Sequence, residues 1–246
     1  DRRGLRSVHR AADLVIHHTE WSRSEARARL GPPPRAELVM PHGNYDGALP
    51  QPAPRDRTRR ALGLPLDRPV LVSLGRTDRY KGLDLLAAAS TLLAPDVHFL
   101  VAGAPGDQPA SDLVGGGANL TLLPERQSDQ RLADLLHASD GVVLPYRRIT
   151  TSGALLAALT AGRGVVASDL PPFREVLRPA PDAGVFVPPT AEGIAGGVRE
   201  FLAVSPAVRG SAARRLADHL AWAALVPPVA RAFRELILLE GGASRA

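Results

Sequence analysis

Residues 141–169, GVVLPYRRITTSGALLAALTAGRGVVASD, restrict the fold more than any other stretch of this 246-residue chain. Residues 141–146 form a short apolar run rich in β-branched side chains, the pattern of a strand buried on both faces of a parallel sheet. Residues 147–152 turn polar. An alanine- and leucine-rich helix is then expected over 154–161, opening at Gly153 and closed by Gly162, with a second buried strand at 164–169. Strand, helix and parallel strand at this spacing make a βαβ crossover. Ligands of such sheets sit beyond the carboxyl ends of the strands. Thr150, Thr151, Ser152 and Gly153 therefore offer hydroxyls and free backbone N–H groups at a helix N-terminus, where the dipole favours an anion such as phosphate. Ser and Thr are also favoured at such positions as plain N-caps, so a partner for the anion is needed from elsewhere.

The rest of the chain repeats the alternation. Strands are expected at 14–18, 36–40, 69–75, 97–103, 120–123 and 184–187. Helices are expected at 22–31 (opened by Ser22 and ended by Gly31), 56–62, 83–93, 129–138, 171–177, 191–202, 211–225 and 229–239, the last two separated by Pro227 and Pro228. The class is α/β with a doubly wound parallel, Rossmann-like sheet. The proline-rich segment 49–54 reads as a linker or hinge. Gly115, Gly116 and Gly117 lack the spacing of a nucleotide-binding glycine motif and read as a surface loop.

Composition removes several functions. Cysteine is absent, which excludes disulfides, thiolate metal sites and a cysteine nucleophile. No run of eighteen apolar residues and no amino-terminal apolar core is present, so the expected location is the cytoplasm. The pI of about 10.5 suits an anionic partner. The arginines are nevertheless scattered with few aromatics between them, which argues against nucleic acid and leaves only peripheral membrane contact open. Lys81 is the only lysine among thirty basic residues. It stands in Gly75-Arg76-Thr77-Asp78-Arg79-Tyr80-Lys81-Gly82, directly after the expected strand 69–75. Arginine grips phosphate bidentately and lysine supplies a point charge, so Arg76 and Lys81 are the candidate anion-holding pair. No Asp-x-Asp triplet occurs, and His17 and His18 point to opposite faces of a strand, so no metal site is expected.

Three motifs together carry a resemblance: G-R-x4-K-G at 75–82, P-x-G at 41–43 and AALTAGRGVVASD at 157–169. The chain resembles the carboxyl-terminal half of a GT-B glycosyltransferase of the family 4, or group 1, type over residues 10–240. The resemblance implies three regions: the end of an amino-terminal acceptor domain at 1–34, a donor-binding Rossmann-like domain at 35–210, and crossing helices at 211–246. It implies transfer of a sugar from a UDP-, GDP- or dTDP-sugar to an acceptor, retaining and metal-independent, with no cofactor. Arg76 and Lys81 would act in catalysis and, with Thr151, Ser152 and Gly153, hold the donor diphosphate. Gly43, Gly75, Thr150, Arg126 and Gln127 would border the donor, the nucleobase meeting the loop 125–127.

Two departures are visible. The family carries a pair of glutamates that face donor sugar and ribose, and their positions here hold Ile149 and Ala157. The acceptor domain is mostly missing, so its groups, including the general base, would come from another segment or a second subunit. His42 is the one histidine expected near the crevice, and a structural role is the favoured reading for it. A noncatalytic nucleotide-sugar binding subunit and a GT-B type sugar-nucleotide epimerase are the alternative readings.

Overall fold

The computed structural model describes residues 2–33, 35–109 and 117–243. Six strands, β3 (Val70–Leu74), β4 (His98–Ala102), β5 (Leu120–Leu123), β6 (Gly141–Leu144), β7 (Val165–Ser168) and β8 (Gly184–Val187), form one sheet in the order β5-β4-β3-β6-β7-β8. Every neighbouring pair is parallel, as in Val70 opposite His98 and Val142 opposite Val165. Strand order reverses between β3 and β6, which fixes the topological switch point there.

The strands are apolar on both faces because helices cover both. On one side α4 (Leu83–Leu92) and α8 (Ala191–Leu202) close over Leu71, Phe99, Val143 and Val166. On the other, α5 (Asp129–Ala138), α6 (Gly153–Thr160) and α9 (Pro206–His219) close over Val72, Leu100, Val142 and Ala167. The helix α3 (Arg55–Ala61) packs on α5, and α7 (Pro171–Leu177) lies beyond β7.

Near the amino terminus, α1 (Arg2–Ala11), β1 (Leu14–His17), α2 (Glu20–Leu30) and β2 (Ala36–Val39) build a separate two-stranded parallel sheet. Ser22 does not open α2. Thr19 is the N-cap, and Ser22 sits three residues on in a reciprocal capping box, so hydroxyls at both positions made the register ambiguous. The proline-rich 49–54 segment is held down: Asp134 accepts from Ala53 N at 2.8 Å and Gln130 donates to Gln51 O at 2.9 Å.

The carboxyl-terminal helices break earlier than their prolines indicate. α9 ends at His219, and α10 (Trp222–Ala243) carries Pro227 and Pro228 inside it. A proline φ is already helical, and the hydrogen bonds forgone face water, because residues 222–224 and 226–228 are exposed. The connection from β2 and the return through α10 run side by side: Asn44 N donates to Leu220 O at 2.8 Å and Trp222 Nε1 to Asn44 O at 2.9 Å. Among the described residues no helix is long and apolar enough to cross a membrane.

Candidate functional site

At the switch point two loops leave adjacent strand ends. The loop after β3 turns at Gly75 (φ 99°) into a 3₁₀ turn, Arg79–Lys81, and then at Gly82 (φ 64°) into α4. Only glycine fits at 82, since a Cβ there would lie 2.1 Å from Pro145 O in the neighbouring loop. Contact with Pro145 therefore brings the β3 loop against the loop after β6. A second tie lies beside it. Arg147 makes a bidentate pair with Asp84 at 2.8 and 2.6 Å and donates to Arg79 O at 3.0 Å. The Arg147 guanidinium holds the Asp84 carboxyl down at about 2, with Gln108 adding a further hydrogen bond.

Lys81 is buried, only 7% exposed, and donates from Nζ to Leu74 O at 3.0 Å while lying 5.7 Å above the Tyr146 ring. Burial pushes its pKa down; Asp78 opposes that shift and Arg76 adds to it. Nζ forms no ion pair within salt-bridge distance among the described residues, so this cation is partly desolvated beside an open cavity. The cavity, of about 240 Å³, is walled by Gly75 and Lys81, by Thr151, Ser152 and Gly153 at the start of α6, and by Tyr45, Tyr80, Tyr146 and Ala157. Ser152 caps α6, its Oγ accepting from Leu155 N at 3.2 Å. A helix start and a buried ammonium thus line one cavity, and both are groups whose charge favours an anion.

A larger cavity of about 490 Å³ adjoins it, sharing Ile149, Thr151 and Ser152. Its walls include Thr150, His18, His42, Phe173 and Leu216, with Arg178 and Arg215 at the edge. His42 Nδ1 lies 2.7 Å from Gly43 O, and its ring packs among His18, Tyr45 and Trp222, which is a structural setting.

The expected site residues thus fall into two groups. Gly75, Lys81, Thr151, Ser152 and Gly153 share one cavity and Thr150 lines the next. Arg76 stands outside the walls, its side chain 65% exposed and paired to Asp78 at 3.0 Å. Gly43 lies beneath Trp222, where a Cβ would meet the indole at 2.3 Å. Arg126 and Gln127 are in the loop after β5, where Gln127 donates to Glu125 O at 2.7 Å. Gly115 and Gly116 lie outside the described residues, and Gly117 accepts from Leu120 N in the turn before β5. Sequence reading missed the tyrosine walls: Tyr45, Tyr80 and Tyr146 come from three segments far apart in the chain. Among the described residues no group of three or more histidine, aspartate or glutamate side chains could hold a metal.

Comparison with known proteins places this geometry in a family. Residues 68–203 match the family model described as "Glycosyl transferases group 1". A D-inositol 3-phosphate glycosyltransferase of Mycolicibacterium paratuberculosis (strain ATCC BAA-968 / K-10) is 29% identical over 245 residues, covering 93% of this chain and 54% of that protein. A protein of the same name from Mycobacterium bovis (strain BCG / Pasteur 1173P2) is 32% identical over 170 residues, 65% of this chain and 35% of its own length. The chain therefore spans about half, or less, of the curated relatives it matches. Among solved structures, sucrose-phosphate synthase from Thermosynechococcus elongatus superposes with a TM-score of 0.79 at 22% identity, over 97% of this chain and 62% of that one. Anabaena Alr3699/HepE, solved in complex with UDP and glucose, superposes with a TM-score of 0.80 at 18% identity, over 95% of this chain and 66% of that one. With more than half of its residues inside the family model and GT-B enzymes as its structural neighbours, the chain belongs to the group 1 family of glycosyltransferases.

Proposed function

We propose that this chain supplies the donor site of a retaining, metal-independent glycosyltransferase that takes its sugar from a nucleoside diphosphate sugar. One observation carries the reading: at the switch point, the buried Lys81 ammonium and the N-terminus of α6 face one cavity beside Gly75. Departure of a nucleoside diphosphate develops negative charge on its phosphates. A fixed cation and a helix N-terminus already aimed at that charge stabilise it without reorganising water. Arg76 joins them by exchanging Asp78 for phosphate, a swing that its exposure permits. The nucleoside extends along the smaller cavity and the sugar points into the larger one, past Ile149 and Thr150. Acceptor-binding groups and the general base come from outside residues 1–246, as proximity catalysis needs both reactants held in line.

These groups neutralise the diphosphate in place of a divalent cation. Calorimetric titration with UDP is accordingly expected to give the same affinity, within about twofold, with EDTA or with added magnesium. A loss of binding in EDTA contradicts the metal-independent part of the reading. Binding of nucleotide without any transfer by the full-length parent would instead select a noncatalytic nucleotide-sugar subunit.

A further inference from the structure

Lys81 and the start of α6 belong to loops that leave β3 and β6, and the ladder between those strands stops short of their carboxyl ends. Its rungs are Leu71 opposite Gly141 and Val72 opposite Val142, whereas β3 stays paired with β4 as far as Leu74 opposite Ala102. Past Val72, sheet hydrogen bonding therefore no longer sets the distance between the two loops whose residues share the smaller cavity.

Arg147 spans this gap. Its backbone N donates to Tyr80 O at 2.7 Å and its Nη1 to Arg79 O at 3.0 Å, both carbonyls belonging to the turn Arg79–Lys81. The same guanidinium grips Asp84, in the first turn of α4, at 2.8 and 2.6 Å. From the loop after β4, Gln108 Nε2 donates to the Asp84 carboxylate at 3.1 Å and anchors it further. A planar fork with two fixed contacts sets an angle as well as a distance, which a point charge does not. Arg147 lies outside the cavity walls, with its side chain 42% exposed, so it bears on the cavity through the turn that carries Lys81.

Resting on the nucleoside diphosphate reading above, we infer that Arg147 is a positioning residue of the donor site: held by Asp84, it keeps the Lys81 turn at the separation from the α6 start that lets both meet one diphosphate. Exposed ion pairs add little to folding stability, so this role is separable from a structural one.

Calorimetric titration with UDP of wild type, Arg147→Met, Asp84→Asn and the double variant tests it, with urea denaturation of each. Both single variants are expected to bind UDP about three- to tenfold more weakly, within the range of coupling inside one ion-pair network. Their urea midpoints are expected to stay within about 0.5 M of wild type. The double variant is expected to bind no more weakly than the weaker single one, because either change alone breaks the same pair. If Arg147→Met weakens binding while Asp84→Asn leaves it unchanged or strengthens it, Arg147 meets the ligand directly and the positioning role is overturned. Additive losses in the double variant, or weaker binding that comes with a larger fall in the urea midpoint, overturn it as well. Unchanged affinity in both single variants overturns this inference and leaves the nucleotide reading standing. Absence of UDP binding by wild type overturns that reading, and this inference with it.

Discussion

Arg59→Ala is expected to lower the unfolding free energy by about 3–5 kcal/mol, the range for breaking a buried ion pair from one side. Arg59 is 1% exposed and spends its guanidinium on four acceptors. Nε donates to Ala138 O at 2.8 Å, Nη1 to Pro65 O and Arg68 O at 2.9 and 3.1 Å, and Nη2 to Asp140 Oδ2 at 2.8 Å. Removing it leaves three carbonyls short of a donor and deprives Asp140 of its most buried counter-charge. Asp140 also accepts from Val70 N at 2.8 Å and Arg55 at 2.6 Å, so the cluster fastens the entries of β3 and β6, the two strands that flank the switch point. Burial pushes the Asp140 pKa up, but these hydrogen bonds and the arginine charges outweigh it and hold the pKa below its ordinary value. A carboxyl depressed in the folded state contributes stability above its unfolded pKa and loses it as pH falls through the folded one. The cost of Arg59→Ala is therefore largest near neutral pH and shrinks under acid. Urea denaturation at two pH values reads both effects, and a loss below 1 kcal/mol at neutral pH contradicts the structural account.

Lys81→Ala is expected to weaken nucleoside diphosphate binding by about 1.5–3 kcal/mol, the contribution of a charged hydrogen bond. The ammonium is already desolvated in the apo chain, so phosphate gains an attraction whose burial cost is largely met on folding. Arg76→Ala is expected to cost less, toward the lower end of that range, because Arg76 must give up Asp78 to reach the ligand. Calorimetry on both variants, with circular dichroism to confirm folding, decides. Equal affinity in wild type and both variants contradicts the assignment of the pair.

The fold was legible because its signals are local. Apolar β-branched runs such as 141–144 and 184–187 and capped helices such as α5 and α8 mark themselves, and their bounds were read within a residue or two. Errors arose where two local signals competed. Thr19 and Ser22 both make good caps, and the pair Pro227 and Pro228 breaks a helix in most settings but not here, in a second turn whose forgone acceptors are open to water.

The site was legible only in part, for a different reason. Lys81, Gly75 and Thr151 to Gly153 stood out as a lone lysine, a strand-ending glycine and a polar helix start. Their convergence needed strand order, since β3 and β6 are neighbours although about seventy residues apart in sequence. Tyr45, Tyr80 and Tyr146, and the Arg147 to Asp84 tie, carry no local pattern and became visible only through contact. Arg59 looked like one more charge on a short helix. Its burial depends on carbonyls and a carboxylate from two other segments, the loop before β3 and the turn before β6.

The central claim is that a nucleoside diphosphate seats at the switch point between β3 and β6. Titrating the ¹⁵N-labelled chain with UDP and mapping the amide shifts tests it most directly. The account predicts the largest shifts at Gly75, Lys81 and Gly82 and at Thr151, Ser152 and Gly153, with both groups saturating together and both responses lost in Lys81→Ala. Shifts confined to other parts of the chain, or none at millimolar UDP, would contradict it.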